Sequence, residues 1–159
     1  VDLVPFAAAA RAGVASVMTA HILLPAIDPV RPCTLSPDAM ALLRDEMAYD
    51  GLVFGDDLEM KAVADHFAPA LLVEQALAAG VDSLLVCSRA DLRDEVLAAL
   101  ESLPDVALEP GLRRMRTFKR DYSGGRHASG AGPPYSEHAA LAERLAYSAM
   151  SASPSPPPR

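Results

Sequence analysis

Apolar positions along this chain follow two rhythms that alternate. A stretch with apolar residues three and four apart gives way to a glycine, and then to a run dominated by Val, Leu and Met. The layout occurs at residues 5–12, Gly13 and residues 14–20. It returns at residues 37–49, Gly51 and residues 52–54, and again at residues 68–79, Gly80 and residues 81–86. The first rhythm is that of an amphipathic helix, and the unbroken run is that of a strand covered on both faces. A glycine just past a helix supplies the left-handed residue that caps it. Helices alternating with such strands predict βαβ units and a parallel sheet.

Helix starts are marked too. Ser36-Pro37-Asp38 reads as an N-cap serine, a proline at the first helical position and an early acid. Leu42, Leu43 and Met47 then form one apolar stripe. Ser88 is placed to cap a helix carrying Leu92, Val96, Leu97 and Leu100, and residues 113–122 read as a basic amphipathic helix. Residues 123–134 are rich in Gly, Pro and Ser. A last Ala-rich helix is expected over 137–150, and a disordered Ser/Pro tail over 151–159. The expected organisation is therefore a sheet domain over 1–122, a loop and helix over 123–150, and the tail. Three strands are few for a sheet buried on both faces. The chain reads as a small open sheet, or as the second part of a (β/α)₈ barrel, which takes about 250 residues.

Composition narrows the classes. The 159 residues are 51% hydrophobic and 22% charged, with no Trp, so the core is built from Ala, Leu and Val. A net charge of -7 argues against nucleic acid or an anionic membrane as partner. Six basic residues between Arg113 and Arg126 read as a solvated helix face. Cys33 and Cys87 are too few for a disulfide framework and favour a reducing, cytoplasmic compartment; Cys87, ending an apolar run, reads as a small core residue. No apolar run approaches the ~18 residues of a membrane span, and no signal peptide is visible. The chain opens on Val1 in a helical pattern, as if cut upstream.

The chemistry concentrates in Gly51-Leu-Val-Phe-Gly-Asp-Asp-Leu-Glu-Met60. An acid at the carboxyl end of a buried parallel strand stands where α/β folds keep their reactive groups. Asp56 suits a nucleophile, and equally a polar strand end satisfying loop N–H groups. Asp57 reads as a cap or loop acceptor, and Glu59 as an acid in the first turn of the next helix. His21 ends the first strand and so opens onto the same rim, where it would contact hydroxyls of a substrate, orient Asp56, or simply be hydrogen-bonded. His66 reads as a surface or helix-end residue, and His127 and His138 fall in or beside the late loop. His21, Asp56 and Asp57 match no compact metal motif, so neither metal nor cofactor is expected. There is no nucleophile elbow and no glycine-rich phosphate loop.

An ordered series of blocks carries a resemblance. Asp2-Leu-Val-Pro-Phe6, Ala12-Gly-Val-Ala-Ser-Val-Met-Thr-Ala-His-Ile22, Pro25, Asp28, Pro32 and Thr34-Leu-Ser36 come first. Leu43-Arg44, Tyr49 to Met60, Ala76-Leu-Ala-Ala-Gly-Val-Asp82 and Leu84-Leu-Val-Cys87 follow. Together they resemble the family 3 glycoside hydrolases, in their bacterial β-N-acetylglucosaminidase (β-hexosaminidase) branch. The resemblance weakens from Cys87 to Lys119 and stops there. It implies the C-terminal part of a (β/α)₈ TIM barrel, with Asp56 as catalytic nucleophile. The implied substrate is a terminal β-linked N-acetylglucosamine of peptidoglycan fragments, with no cofactor. The family more often has Ser where this chain has Gly55. Its acid/base His, in an Asp-Ser-His element, and a sugar-holding Lys-His pair lie upstream of the region matched, and His21 is a different position. The chain alone is therefore expected to be inactive or nearly so. The competing expectations are a non-catalytic half-barrel that pairs with a missing half or with itself, and an unrelated small α/β sheet binding a ligand at its strand ends.

Overall fold

A computed structural model describes residues 3–123 and, beyond them, Ala140, Glu143 and Arg144, which are helical. Apart from Ser123, the expected loop over 123–134 lies outside the described residues, as do most of the helix over 137–150, the tail, His127 and His138. The chain divides into two compact units, Val1–Gly124 and Gly125–Arg159.

Within the first unit, helices and strands alternate. Helix α1 (Val4–Arg11) leads to strand β1 (Ser16–Met18). A 3-10 turn (Cys33–Leu35) and helix α2 (Pro37–Ala41) follow, continued by a π-helical stretch (Leu42–Glu46), and then strand β2 (Leu52–Asp57). Helices α3 (Lys61–Ala64) and α4 (Pro69–Ala79) lead to β3 (Ser83–Leu85). Helices α5 (Ala90–Ser102) and α6 (Asp105–Phe118) complete the unit, α6 passing into a π turn (Lys119–Ser123). The three strands form one parallel sheet in the order β1-β2-β3.

Two of the three expected caps form. Gly13 (φ 71°) and Gly80 (φ 109°) take the left-handed conformation. Each helix then closes with a paired cap, Val14 N–H donating to Ala9 O at 3.1 Å and Val81 N–H to Ala76 O at 3.0 Å. Because the cap uses Val14 and Val81, the strands begin later than the apolar runs predict. Between α2 and β2 the left-handed residue is Ala48 (φ 51°), not Gly51. Gly51 serves a close approach instead: a Cβ there would collide with the Tyr49 ring. That ring folds back so that its hydroxyl faces Val14 O at 3.2 Å and Leu52 O at 3.3 Å. The start of α2 is as expected, with Ser36 Oγ accepting from Ala39 N–H at 3.2 Å.

Val53 is fully buried among Leu35, Met40, Leu72, Val73, Ala76 and Val81, which line the side of the sheet toward α2 and α4. Its neighbour Phe54 projects the other way. There it meets Phe118 edge-on, with ring centroids 6.3 Å apart and planes at 82°. The central strand is thus covered on both faces, as its unbroken apolar run requires.

Helix α6 begins at Asp105, eight residues before the basic pattern suggested; Pro110-Gly111 disguises its first half. The reading of 113–126 as a solvated face also needs correction at Arg114. Its Nε donates to Asp82 Oδ1 at 2.9 Å, and the two side chains are only 17% and 1% exposed. Asp82 Oδ2 accepts from Arg44 Nη2 at 2.7 Å and from Val53 N–H at 2.9 Å. Arg44 Nη1 also donates to Tyr49 O at 3.0 Å and Gly51 O at 2.7 Å. Burial pulls the Arg44 guanidinium down, and the Asp82 carboxylate opposes that shift. Removing one member of a buried ionic group leaves uncompensated charge, at a cost of about 3–5 kcal/mol. Asp82→Ala strands two guanidiniums and is expected to lose about that much stability in chemical denaturation, at unchanged slope.

Candidate active site

The site forms where β2 ends. From Phe54 to Asp57, β2 advances while β3 moves only from Ser83 to Leu85, so the register slips and β2 bulges at Gly55 and Asp56. A bulge breaks the two-residue alternation and re-aims a side chain. Gly55 is buried there, with Val81, Thr34 and Ser83 around the place its Cβ would occupy. Asp56 is half-buried, and its Oδ1 accepts from Asp57 N–H at 2.8 Å. Asp57 acts as the loop acceptor expected, its Oδ1 receiving Glu59 N–H at 3.1 Å.

His21 reaches this rim from beyond β1. Its Nε2 lies 3.1 Å from Asp57 O and its Nδ1 3.0 Å from Thr34 Oγ1. Thr34 in turn meets Thr19 Oγ1 at 2.9 Å. Both ring nitrogens are therefore occupied within the protein. This favours a histidine that orients the rim over one whose nitrogens contact sugar hydroxyls. His66 is exposed just after α3.

Glu59 does not serve the helix that follows it. Its Oε1 accepts from Ser88 N–H at 2.5 Å and from Arg89 N–H at 2.8 Å, and its Oε2 from Ser88 Oγ at 2.5 Å. These are unpaired donors at the start of α5, and a carboxylate there is favoured by the helix end. Ser88 accordingly gives its hydroxyl to Glu59 and does not cap α5. The Ser88 hydroxyl first, then the Arg89 and Ser88 amides, lower the Glu59 pKa to about 2. Cys87 is exposed, not a core residue; β3 stops at Leu85, and the thiol turns onto the rim. Asp57, as its hydrogen-bond acceptor, pushes the Cys87 thiol up. Among the described residues, no group of three His, Cys, Asp or Glu is arranged to hold a metal ion. No helix among them is long and apolar enough to cross a membrane.

Sequence reasoning found Asp56, Asp57 and His21, and the fold brings them to one rim. It missed Thr19, Thr34 and Ser88 as members. Nothing in their local pattern marks them, because their partners are distant in the chain.

The sequence profile of the Glycosyl hydrolase family 3 N terminal domain matches residues 1–116. The chain belongs to that family. A beta-hexosaminidase of Chromobacterium violaceum is 41% identical to this family 3 chain over 115 residues, 72% of the chain and 32% of that protein. The solved structure of a glycoside hydrolase family 3 beta-N-acetylglucosaminidase from a Paenibacillus species is 33% identical, with a TM-score of 0.73. The match covers 83% of this chain and 27% of that one. The beta-N-acetylglucosaminidase from Thermotoga maritima is 30% identical with a TM-score of 0.66, over 74% of this chain and 28% of that one. The family 3 chain thus spans about a third of the length of the curated relatives it matches. Its parallel strands alternating with helices are a portion of the family's (β/α)₈ barrel architecture.

The Glu59 contacts make this family 3 chain sensitive to acid. Because its pKa is depressed from 4.5 to about 2, the stability it contributes is complete above 4.5 and is lost as pH falls through 2. The gap in thermal unfolding midpoint between wild type and Glu59→Gln is expected to be constant above that range. It should shrink to nothing near pH 2, followed by circular dichroism.

Proposed function

We propose that this chain carries the nucleophile of a retaining glycosidase that removes terminal β-linked N-acetylglucosamine, and that Asp56 is that nucleophile. The observation that carries the reading is the placement of Asp56. It sits on a bulge at the carboxyl end of the central parallel strand, with one carboxylate oxygen held by the Asp57 amide. A carboxylate directed by one hydrogen bond and open to solvent on its other side is placed to attack an anomeric carbon. The names of the relatives, beta-hexosaminidase and beta-N-acetylglucosaminidase, support the substrate class. Fragments of peptidoglycan in a reducing, cytoplasmic setting belong to the same proposal.

In this reaction the Asp56 carboxylate forms a bond to the anomeric carbon as the bond to the leaving oxygen breaks. Water later cleaves the resulting ester. An acid must protonate the leaving oxygen. Glu59, with its pKa near 2, stays ionised and bound to α5, and the Asp57 carboxylate is held by Glu59 N–H. Both are engaged in holding the rim, so this reading takes the acid/base group from elsewhere in the enzyme. Such a group is typically worth ~10²–10⁴-fold, so the chain by itself is expected to turn over natural glycosides slowly. An N-acetylglucosaminyl fluoride needs little acid help. Incubated with it, the chain is expected to gain the mass of one N-acetylhexosaminyl unit, mapped by peptide sequencing to Asp56 and absent in Asp56→Asn. Labelling that persists in Asp56→Asn would move the nucleophile elsewhere.

A second reading, a half-barrel that serves as a subunit, is favoured by the β1 side of the sheet. Leu3, Phe6, Met18 and Leu24 are 40–56% exposed there and line an apolar groove of about 220 Å³. Such a face favours association with a further barrel portion or with a second copy. Light scattering of the purified chain is expected to show association that depends on concentration. A monomer at all concentrations would set this reading aside.

A further inference from the structure

We infer that His21 is a positioning residue that sets the direction of the Asp56 carboxylate through the main chain of Asp57. The inference rests on the reading of Asp56 as nucleophile. A carbonyl oxygen only accepts, so the 3.1 Å contact between His21 Nε2 and Asp57 O requires a hydrogen on Nε2. In the neutral ring Nδ1 then accepts from the Thr34 hydroxyl at 3.0 Å, and Thr34 accepts from Thr19 at 2.9 Å. Thr34 is fully buried, so its hydroxyl has no water to turn toward. Two threonines thereby fix which edge of the ring faces the rim.

Asp57 is held at three points. Its carbonyl accepts from Met60 N–H at 3.1 Å, closing the turn, and from His21. Its carboxylate accepts from Glu59 N–H, and its own N–H donates to Asp56 Oδ1 at 2.8 Å. The His21 contact comes from the β1 side, 36 residues away, where the bulge interrupts the regular ladder between β2 and β3. On the β3 side Leu58 N–H, in the same peptide unit as Asp57 O, donates to Leu85 O at 3.0 Å, and the Cys87 thiol donates to the Asp57 carboxylate. Turn contacts within residues 56–60 fix the loop's shape, whereas His21 fixes its orientation against β1. The carbonyl and the N–H of Asp57 flank one Cα, so a hold on the first limits the turn of the second, which carries the Asp56 carboxylate.

Two substitutions separate this role from simple packing. In His21→Gln the amide nitrogen reaches the place of Nε2 and keeps the donor to Asp57 O. In His21→Asn the amide lies at the place of Nδ1 and loses it. Losing one hydrogen bond of ordinary strength corresponds to roughly a fivefold change. By NMR, Asp57 amide exchange is expected to be about fivefold faster in His21→Asn, the Asp56 carboxyl ¹³C signal to move, and His21→Gln to restore both. Labelling of Asp56 by the glycosyl fluoride should slow in His21→Asn and recover in His21→Gln, at similar unfolding midpoints. Equal behaviour of the two variants would overturn the inference. If wild type takes up no sugar while the Asn and Gln variants still differ at the Asp57 amide, the nucleophile reading fails and the hold of His21 on Asp56 stands.

Discussion

The Asp82 carboxylate is the point on which the rest of this unit depends. It lies before β3 and is almost wholly removed from water, with 1% of its side chain exposed. An ion so placed must be compensated by charge and by hydrogen bonds, or its desolvation would destabilise the fold. Arg44 from the π-helical stretch after α2, Arg114 from α6 and the amide of Val53 in β2 meet that need together. Arg44 also gathers the carbonyls of Tyr49 and Gly51 ahead of β2 and lies over the Tyr49 ring, 5.7 Å from its centroid. One cluster thus locks both strand starts and the helices on either face of the sheet.

That lock is at the amino end of the strands, and the candidate chemistry is at the other. The separation matters because the two ends have different requirements. A buried ionic cluster tolerates little movement and no water. A nucleophilic carboxylate needs solvent, a defined direction and a sugar-sized approach. With the amino ends fixed, the carboxyl end departs from regular pairing through the bulge at Gly55 and Asp56. Two lateral ties hold the rim beside the ladder bond that resumes after the bulge, from Leu58 N–H to Leu85 O. His21 holds it toward β1, and Glu59 binds the loop after β2 to the start of α5. The Glu59 carboxylate does work for α5 that a local capping side chain would ordinarily do, and so joins two rim loops.

Local chemistry made much of this legible beforehand. The alternation of helices and strands, the glycine caps at Gly13 and Gly80 and the serine cap at Ser36 depend on neighbouring residues, and each was readable as such. Where reading failed, a distant contact had overruled the local pattern. Gly51 resembled a helix cap because it follows a helix, but the returning Tyr49 ring is what requires a glycine there. Arg114 sits in a basic run that looks solvated, yet its partner is 32 residues away. Cys87 ends an apolar run, but pairing stops at Leu85 and leaves it exposed.

The sequence by itself determined the parallel βα architecture and the strand that bears Asp56, because apolar periodicity and capping act over a few residues. It also placed Asp56 and Asp57 at the end of the strand and His21 on the same side of the sheet, although β1 stops at Met18 and His21 lies beyond it. Only the tertiary structure decided what each of them does there. The bulge that turns Asp56, the grip of His21 on Asp57 from 36 residues away and the reach of Glu59 to Ser88 across 29 residues are contacts between elements. No periodic pattern records them, since they come into being when the strands pair and the unsatisfied groups at the rim find one another.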